Sequence, residues 1–293
     1  MTSHVQEEID SQPDCWRQAT RVAAASQSEL PPPGARVLVL GCGTSHYIAQ
    51  SWAARREAGG AGETDAFAAS ELRTDRVYDY AVAISRSGTT TEVLDALDKL
   101  PAGTASIAIT ADGKSPIVDV ADRSLVLDFA DEQAVVQTRF ATSALVLLRA
   151  HLGEDLSGLP ADGEAATRET LPAEWTDRAR ITFLGTGWTV GLASEAALKL
   201  REASQSWTEA YPAMEFRHGP ISVVDEDSLV WMFGAAPAGL SSDLAATGAS
   251  WVTSALDPVA DLVRAQRLAV ARAAARGLDP DHPRNLSRSV ILP

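Results

Sequence analysis

Short apolar runs separated by helical patterns set the frame of this chain. Arg36 to Leu40, Ala81 to Ile84, Thr104 to Thr110, Ser124 to Leu127, Ile181 to Leu184, Leu229 to Phe233 and Ser250 to Ser254 each read as a buried strand, because a strand covered on both faces is a near-continuous apolar run. Between them lie longer segments with helical periodicity. Val5 to Leu30 predicts one acidic, loosely amphipathic helix stopped by Pro31-Pro32-Pro33-Gly34, and the pattern running out of Ser85 to Glu92 predicts a helix to about Leu100. An apolar helix ends near Leu152, another reaches Arg178, and an Ala/Arg helix spans Val259 to Arg276. Strands alternating with helices predict an α/β fold built on parallel sheets. The strand, glycine turn and helix at Leu40 recur at Leu184, which predicts two similar α/β units. The expected division is an N-terminal helix over 1–35, a first subdomain over 36–155 and a second over 165–293, with a Gly/Pro/Asp/Ser-rich linker at Gly153 to Gly163.

Two glycine-rich turns follow predicted strands. Gly41-Cys42-Gly43-Thr44-Ser45 could bring backbone N–H groups up to an anion or simply pack tightly. In Ser85-Arg86-Ser87-Gly88-Thr89-Thr90-Thr91-Glu92, an N-cap would account for one hydroxyl but not for the whole cluster, so the run predicts an anion cradle at a helix N-terminus. In the second half, Glu195, Lys199 and Glu202 follow i, i+4, i+7 spacing and project from one helix face. By spacing alone that face is a solvated one carrying an ion pair. Glu209, Tyr211, Glu215, Arg217 and His218 then crowd into a polar segment closed by Gly219-Pro220, where a carboxylate and a histidine could share proton abstraction and donation.

Composition removes several function classes. The chain has 293 residues, 45% hydrophobic, with a mean hydropathy near zero, which is enough for one or two domains with a substantial core. Its 25 Lys+Arg against 39 Asp+Glu give a net charge of -14, which repels phosphate backbones and argues against nucleic acid. No apolar run reaches the ~20 residues of a membrane span. The acidic start MTSHVQEEID has no secretory pattern, so a cytoplasmic protein is expected. Cys15 and Cys42 are too few for a disulfide framework or a zinc site, and neither metal nor cofactor is expected.

LKLREAS followed by EAYPAMEFRHGP resembles the LK[LM]KE[IL]S and EA[YF]xxxE[LF][RK]HGP signature of the sugar isomerase (SIS) domain family, as in the isomerase half of glucosamine-6-phosphate synthase. GCGTS, the ASELR segment at Ala69 to Arg73 and SRSGTTT resemble further family motifs, so the likeness runs from about Val37 onward. It implies two subdomains, each a three-layer, flavodoxin-like α/β/α unit. It places Ser45, Ser85, Ser87 and Thr90 on phosphate, with Arg86 where the synthase has glutamine. Glu132, Val135 and Thr138 fall on the sugar wall, although by pattern alone they would cap a helix. Glu202 becomes the base, Lys199 the group that steadies an enediolate or enediolamine, and His218 a ring-opening acid or base donated across a homodimer interface. The tail Pro283 to Val290 resembles the family's PRNLAKSV ending, with Arg288 in place of the lysine.

The function this implies is removal of the C2 proton of an amino- or keto-hexose 6-phosphate, by an isomerase or a glucosamine-6-phosphate deaminase. Thr2 stands where the synthase has its ammonia-releasing cysteine, so no glutaminase half is expected. Two alternatives stay open: a lyase dehydrating an N-acetylaminosugar 6-phosphate, and a non-catalytic sugar-phosphate sensor.

Overall fold

Five parallel strands and then four more carry the chain through two sheets in the computed structural model, which describes residues 3–73 and 75–292; Thr2 lies outside them. The first sheet comprises β1 (Val37–Gly41), β2 (Thr64–Ala68), β3 (Tyr80–Ile84), β4 (Ala105–Thr110) and β5 (Arg123–Val126), in the order β2-β1-β3-β4-β5. That is the flavodoxin-like order. The second has β6 (Arg180–Gly185), β7 (Thr208–Pro212), β8 (Ser228–Phe233) and β9 (Ser250–Val252), in the order β7-β6-β8-β9. It repeats the first arrangement with one strand fewer. All pairings are parallel, with Val39 opposite Val82 and Phe183 opposite Trp231 in the two central registers.

The expected α/β architecture is therefore present, with differences that have physical causes. Neither β2 nor β7 stands out as an apolar run, because each is an edge strand whose residues are mostly half-buried. The segment containing Glu209 and Tyr211 is thus a strand, not a loop. The single N-terminal helix is two, α1 (His4–Asp10) and α2 (Gln12–Ala25), because Pro13 fits only in a first helical turn and the helix restarts at Ser11. The expected linker contributes half of α7 (Leu159–Arg168), and Gly163 lies within it. A Cβ there would come 2.4 Å from the Trp16 ring, so this glycine serves helix packing and not flexibility. The helix stops at Arg168, ahead of Pro172, and not at Arg178.

One core joins the two sheets. The helices α3 (Thr44–Ala58), α6 (Arg139–His151), α8 (Thr189–Ser204) and α10 (Pro258–Ala275) pack between them, so Val39, Ile48, Leu145, Leu200, Trp231 and Leu262 belong to one buried cluster. The outer face of the first sheet is covered by α4 (Thr91–Asp98) and α5 (Ile117–Val120), and that of the second by α9 (Leu240–Ala245) and short 3-10 turns. The α3–α8 crossing is tight. A Cβ on Gly191 would lie 2.4 Å from the Tyr47 carbonyl oxygen and 2.3 Å from Ser51 Oγ. Among the described residues no helix is long and apolar enough to cross a membrane.

Candidate active site

In an open parallel sheet, ligands settle beyond the carboxyl ends of the strands where the strand order reverses. Here the order reverses between β1 and β3, and the loops leaving those two strands are the GCGTS turn and the SRSGTTT run. The backbone of the second loop depends on Gly88, at φ +62, whose absent Cβ would sit 2.0 Å from Ser115 Oγ. Ser85 Oγ accepts the Gly88 N–H at 3.2 Å, and Ser87 Oγ accepts the Thr89 N–H at 3.3 Å. With acceptor positions used inside the loop, both serine O–H groups keep a proton to donate to a ligand. Thr90 is the N-cap residue of α4, yet its side chain makes no capping bond, so its hydroxyl is also spare. Ser45 is buried in the first turn of α3, across the switch point.

The charged row on α8 is buried. Glu195 is 0% exposed and Lys199 1%, which removes the reading of a solvated face. Lys199 Nζ lies 2.5 Å from Glu202 Oε2 and 3.5 Å from Glu195 Oε1, and it donates to Thr44 Oγ1 at 2.9 Å. Thr44 belongs to the first loop, so one ammonium ties the charged face of α8 to the switch point of the other half. Burial pulls the Lys199 pKa down, but the neighbouring carboxyls of Glu195 and Glu202 outweigh it, so the net shift is upward. Burial pushes Glu195 up to about 8, against the pull of Lys199 and with the help of Glu202. Glu202 is the outermost of the three, with a side chain 19% exposed, and it borders a recess of about 470 Å³ walled by Leu198, Trp207 and tail residues Arg284 to Leu286.

The loop at 131–138 serves as a cap. Glu132 Oε1 accepts from the Thr138 and Arg139 N–H groups at 2.5 and 2.8 Å and from Thr138 Oγ1 at 3.0 Å, at the N-terminus of α6. The Thr138 hydroxyl is therefore committed to Glu132, and Val135 contributes its backbone to neighbouring segments. Arg86 is 1% exposed and turns away from an open cradle: Nη1 reaches Glu132 Oε2 and the Ala134 carbonyl, and Nη2 reaches the Val135 and Arg288 carbonyls. Arg288 donates to Asp131 Oδ1 and to the Glu132 carbonyl. It is anchored on this loop, away from Glu202. Farther along the tail, Ser289 Oγ accepts from Thr89 Oγ1 at 2.9 Å and the Val290 carbonyl accepts from the Thr91 N–H at 3.2 Å.

His218 stands apart. It is exposed in a 3-10 turn and makes no hydrogen bond to Glu202 or Lys199, while its neighbour Arg217 is held by Asp243 of α9 at 2.7 Å. Sequence reasoning assigned no role to Thr44 or Glu195. The signal was available in both cases: Thr44 adjoins Ser45 in the turn, and Glu195 lies one helical turn before Lys199. Among the described residues no group of three or more His, Cys, Asp or Glu side chains is placed to hold a metal ion.

Comparison with known proteins places this arrangement. The chain is 30% identical over 317 residues to the glutamine–fructose-6-phosphate aminotransferase (isomerizing) of Pseudomonas putida, covering 87% of this chain and 51% of that protein. It is 30% identical to the Legionella pneumophila protein of the same name, covering 90% and 52%. The chain thus spans about half the length of these curated relatives. The crystal structure of glucosamine-6-phosphate deaminase from Thermotoga maritima superposes with a TM-score of 0.83 at 25% identity, covering 99% of this chain and 100% of that one. Tagatose-6-phosphate ketose/aldose isomerase from Escherichia coli shares the fold, with a TM-score of 0.76 at 20% identity over 97% and 98%. The sequence also matches the SIS domain over residues 33–152 and 175–250, two segments that between them hold both switch-point loops and the whole charged row of α8, and the chain belongs to that family.

Proposed function

We propose that this protein is a phosphosugar-processing enzyme of the isomerase or deaminase type, and that it removes the C2 proton of an aldo- or 2-amino-hexose 6-phosphate or, in the reverse direction, the C1 proton of the corresponding ketose. The observation that carries the reading is the Lys199–Glu202 pair at 2.5 Å, tied through Thr44 to the switch-point loop that holds Ser45, next to which the loop after β3 holds the spare hydroxyls of Ser85, Ser87 and Thr90. In this reading Ser45 and those three hydroxyls hold the phosphate, with the N-terminal end of α4 adding its partial positive charge. Glu202 takes the C2 proton, and Lys199 stabilises the charge that develops on the neighbouring oxygen or nitrogen.

Returning the proton to C1 converts an aldose to a ketose. With an amine at C2, the same protonation leaves an imine that water hydrolyses to the ketose and ammonia. Support for the deaminase form comes from the likeness to the Thermotoga maritima deaminase, with a TM-score of 0.83 at 25% identity over 99% of this chain. The working unit we propose is a homodimer in which His218 reaches the partner's site to assist ring opening. Its exposure supports this, as do the exposed Trp207 and Val223 beside edge strand β7.

Deuterium wash-in tests the reading. With glucosamine 6-phosphate or fructose 6-phosphate in D2O, label is expected at the carbon that exchanges, and Glu202→Gln is expected to stop it. Binding without any exchange across a panel of hexose and aminohexose 6-phosphates would leave a sensor in place of an enzyme. A second reading, dehydration of an N-acetylaminosugar 6-phosphate, draws support from the recess beside Glu202, where Leu198, Trp207 and Leu286 leave room for an acyl group. The product mass separates the two, because only dehydration loses water.

A further inference from the structure

The guanidinium of Arg86 makes four bonds, and none of its partners belongs to its own loop. One is the Glu132 carboxylate at 3.3 Å, and the others are the carbonyls of Ala134 at 3.0 Å, Val135 at 3.2 Å and Arg288 at 3.1 Å. The planar five-donor fork of arginine can serve carbonyls on separate segments at once, whereas the amide of glutamine has two donors. We propose that Arg86 is a positioning residue: it pins the 131–135 loop and the C-terminal tail to the Ser85–Thr91 loop and acts on ligand affinity through them. The role in ligand binding rests on the phosphate-site reading above; the pinning itself does not.

The tail contributes matching contacts. Past Arg288, the Ser289 hydroxyl and the Val290 carbonyl accept from Thr89 and Thr91, and the Leu292 N–H donates to Thr91 Oγ1 at 2.9 Å. The tail therefore lies along the lip of the hydroxyl cradle, and Arg86 holds it at the Arg288 carbonyl. The outward-facing counterpart, Arg288 on Asp131, has both side chains about two-fifths exposed and is the weaker arm, because exposed ion pairs add little. Arg86, buried, is the anchor. Its Nε–H has no partner among the described residues, so direct contact between that donor and a bound phosphate is the rival to be separated.

Two measurements on the full-length protein decide. The first needs no ligand: limited trypsinolysis followed by mass spectrometry, reading cleavage after Arg284. Arg86→Gln should speed that cleavage by roughly 10- to 100-fold, the range expected from losing hydrogen bonds to a charged group, while Arg288→Ala should speed it less. Unchanged cleavage in Arg86→Gln overturns the pinning. Should Arg86→Gln fold poorly, Arg86→Lys, which keeps the charge but not the fork, is read in the same way.

The second measurement is a cycle of glucosamine 6-phosphate affinities by calorimetry. It compares Arg86→Gln in the wild-type background and in Arg288→Ala/Ser289→Ala, where the tail is released. Loss of affinity that is large in the first background and small in the second supports action through the tail. Equal loss in both means that Arg86 touches the ligand and overturns the proposal. If the wild-type protein itself fails to bind the sugar phosphate, the phosphate-site reading fails, and the cleavage experiment still judges the pinning.

Discussion

Lys199 Nζ and Glu202 Oε2 face each other at 2.5 Å across one turn of α8, and Thr44 Oγ1 holds the same ammonium at 2.9 Å from the opposite helix. The carboxylate is thereby aimed while remaining partly open to the recess beside it. Glu202→Gln should lower turnover and C2 exchange by about 10²- to 10⁴-fold, the usual contribution of a positioned general base. Calorimetric affinity for the sugar phosphate should change only a few-fold. A parallel collapse of affinity would reassign Glu202 from base to binding group.

Lys199→Met leaves two acidic side chains in a buried place without their cation. Breaking such a pair costs about 3–5 kcal/mol, which urea denaturation would register as a shifted midpoint with an unchanged slope. The loss should shrink as pH is lowered from 8 to 5, because Glu195, pushed up to about 8 by burial, takes up a proton over that range and leaves less uncompensated charge. A pH-independent loss would mean that packing and not charge accounts for it.

Two buried acids give stability a definite slope with pH. Burial, aided by Glu132, pushes Glu8 up to about 7, although the Gln133 and Ala134 N–H groups favour its carboxylate, and Glu195 is raised to about 8. Between pH 4.5 and these values the native state holds protons that the unfolded chain has released, so stability declines as pH rises through that window. Glu8→Gln keeps the acceptor for the 133–134 N–H groups without the charge. Denaturation midpoints measured from pH 5 to 8 should fall less steeply in this variant than in the wild type. An identical slope would show that Glu8 is ionised in the fold.

Gly191→Ala probes the seam between the halves. Alanine improves helix propensity by about 0.8–1.0 kcal/mol, but its Cβ would meet the Tyr47 carbonyl oxygen at 2.4 Å. Overpacking of this kind costs typically about 1–3 kcal/mol, so net destabilisation is expected. Activity should fall with it, since α3 also carries Thr44. A more stable and fully active variant would show that the helices part at no cost.

Shared sites have a consequence that neither single variant shows. Mixing Glu202→Gln and His218→Ala subunits should restore part of the activity, because one site of each mixed dimer receives both intact groups. With subunit exchange verified and no activity regained, His218 would have to serve its own chain or none.

The central strands β1, β3, β4, β6 and β8 were legible because a parallel strand covered on both faces needs apolar residues in sequence. The two switch-point loops were legible as glycine-rich turns at strand ends, the second also through a cluster of hydroxyls larger than an N-cap needs. Of the four edge strands, β5 and β9 were expected and β2 and β7 were not. β2 and β7 pair on one side only and carry no continuous apolar signal, and the break at Ser11 and the packing of Gly163 on Trp16 depend on local and distant neighbours respectively. Spacing put Glu195, Lys199 and Glu202 on one face, but only the docking of α3 decided that Glu195 and Lys199 are buried there, with both pKa values raised. Arg86 and Arg288 read as candidate ligand contacts by position. Tertiary structure directed both guanidinium groups to carbonyl and carboxylate oxygens on the 131–135 loop and the tail, because an arginine's partners are chosen by which distant segments the fold brings within reach of its fork.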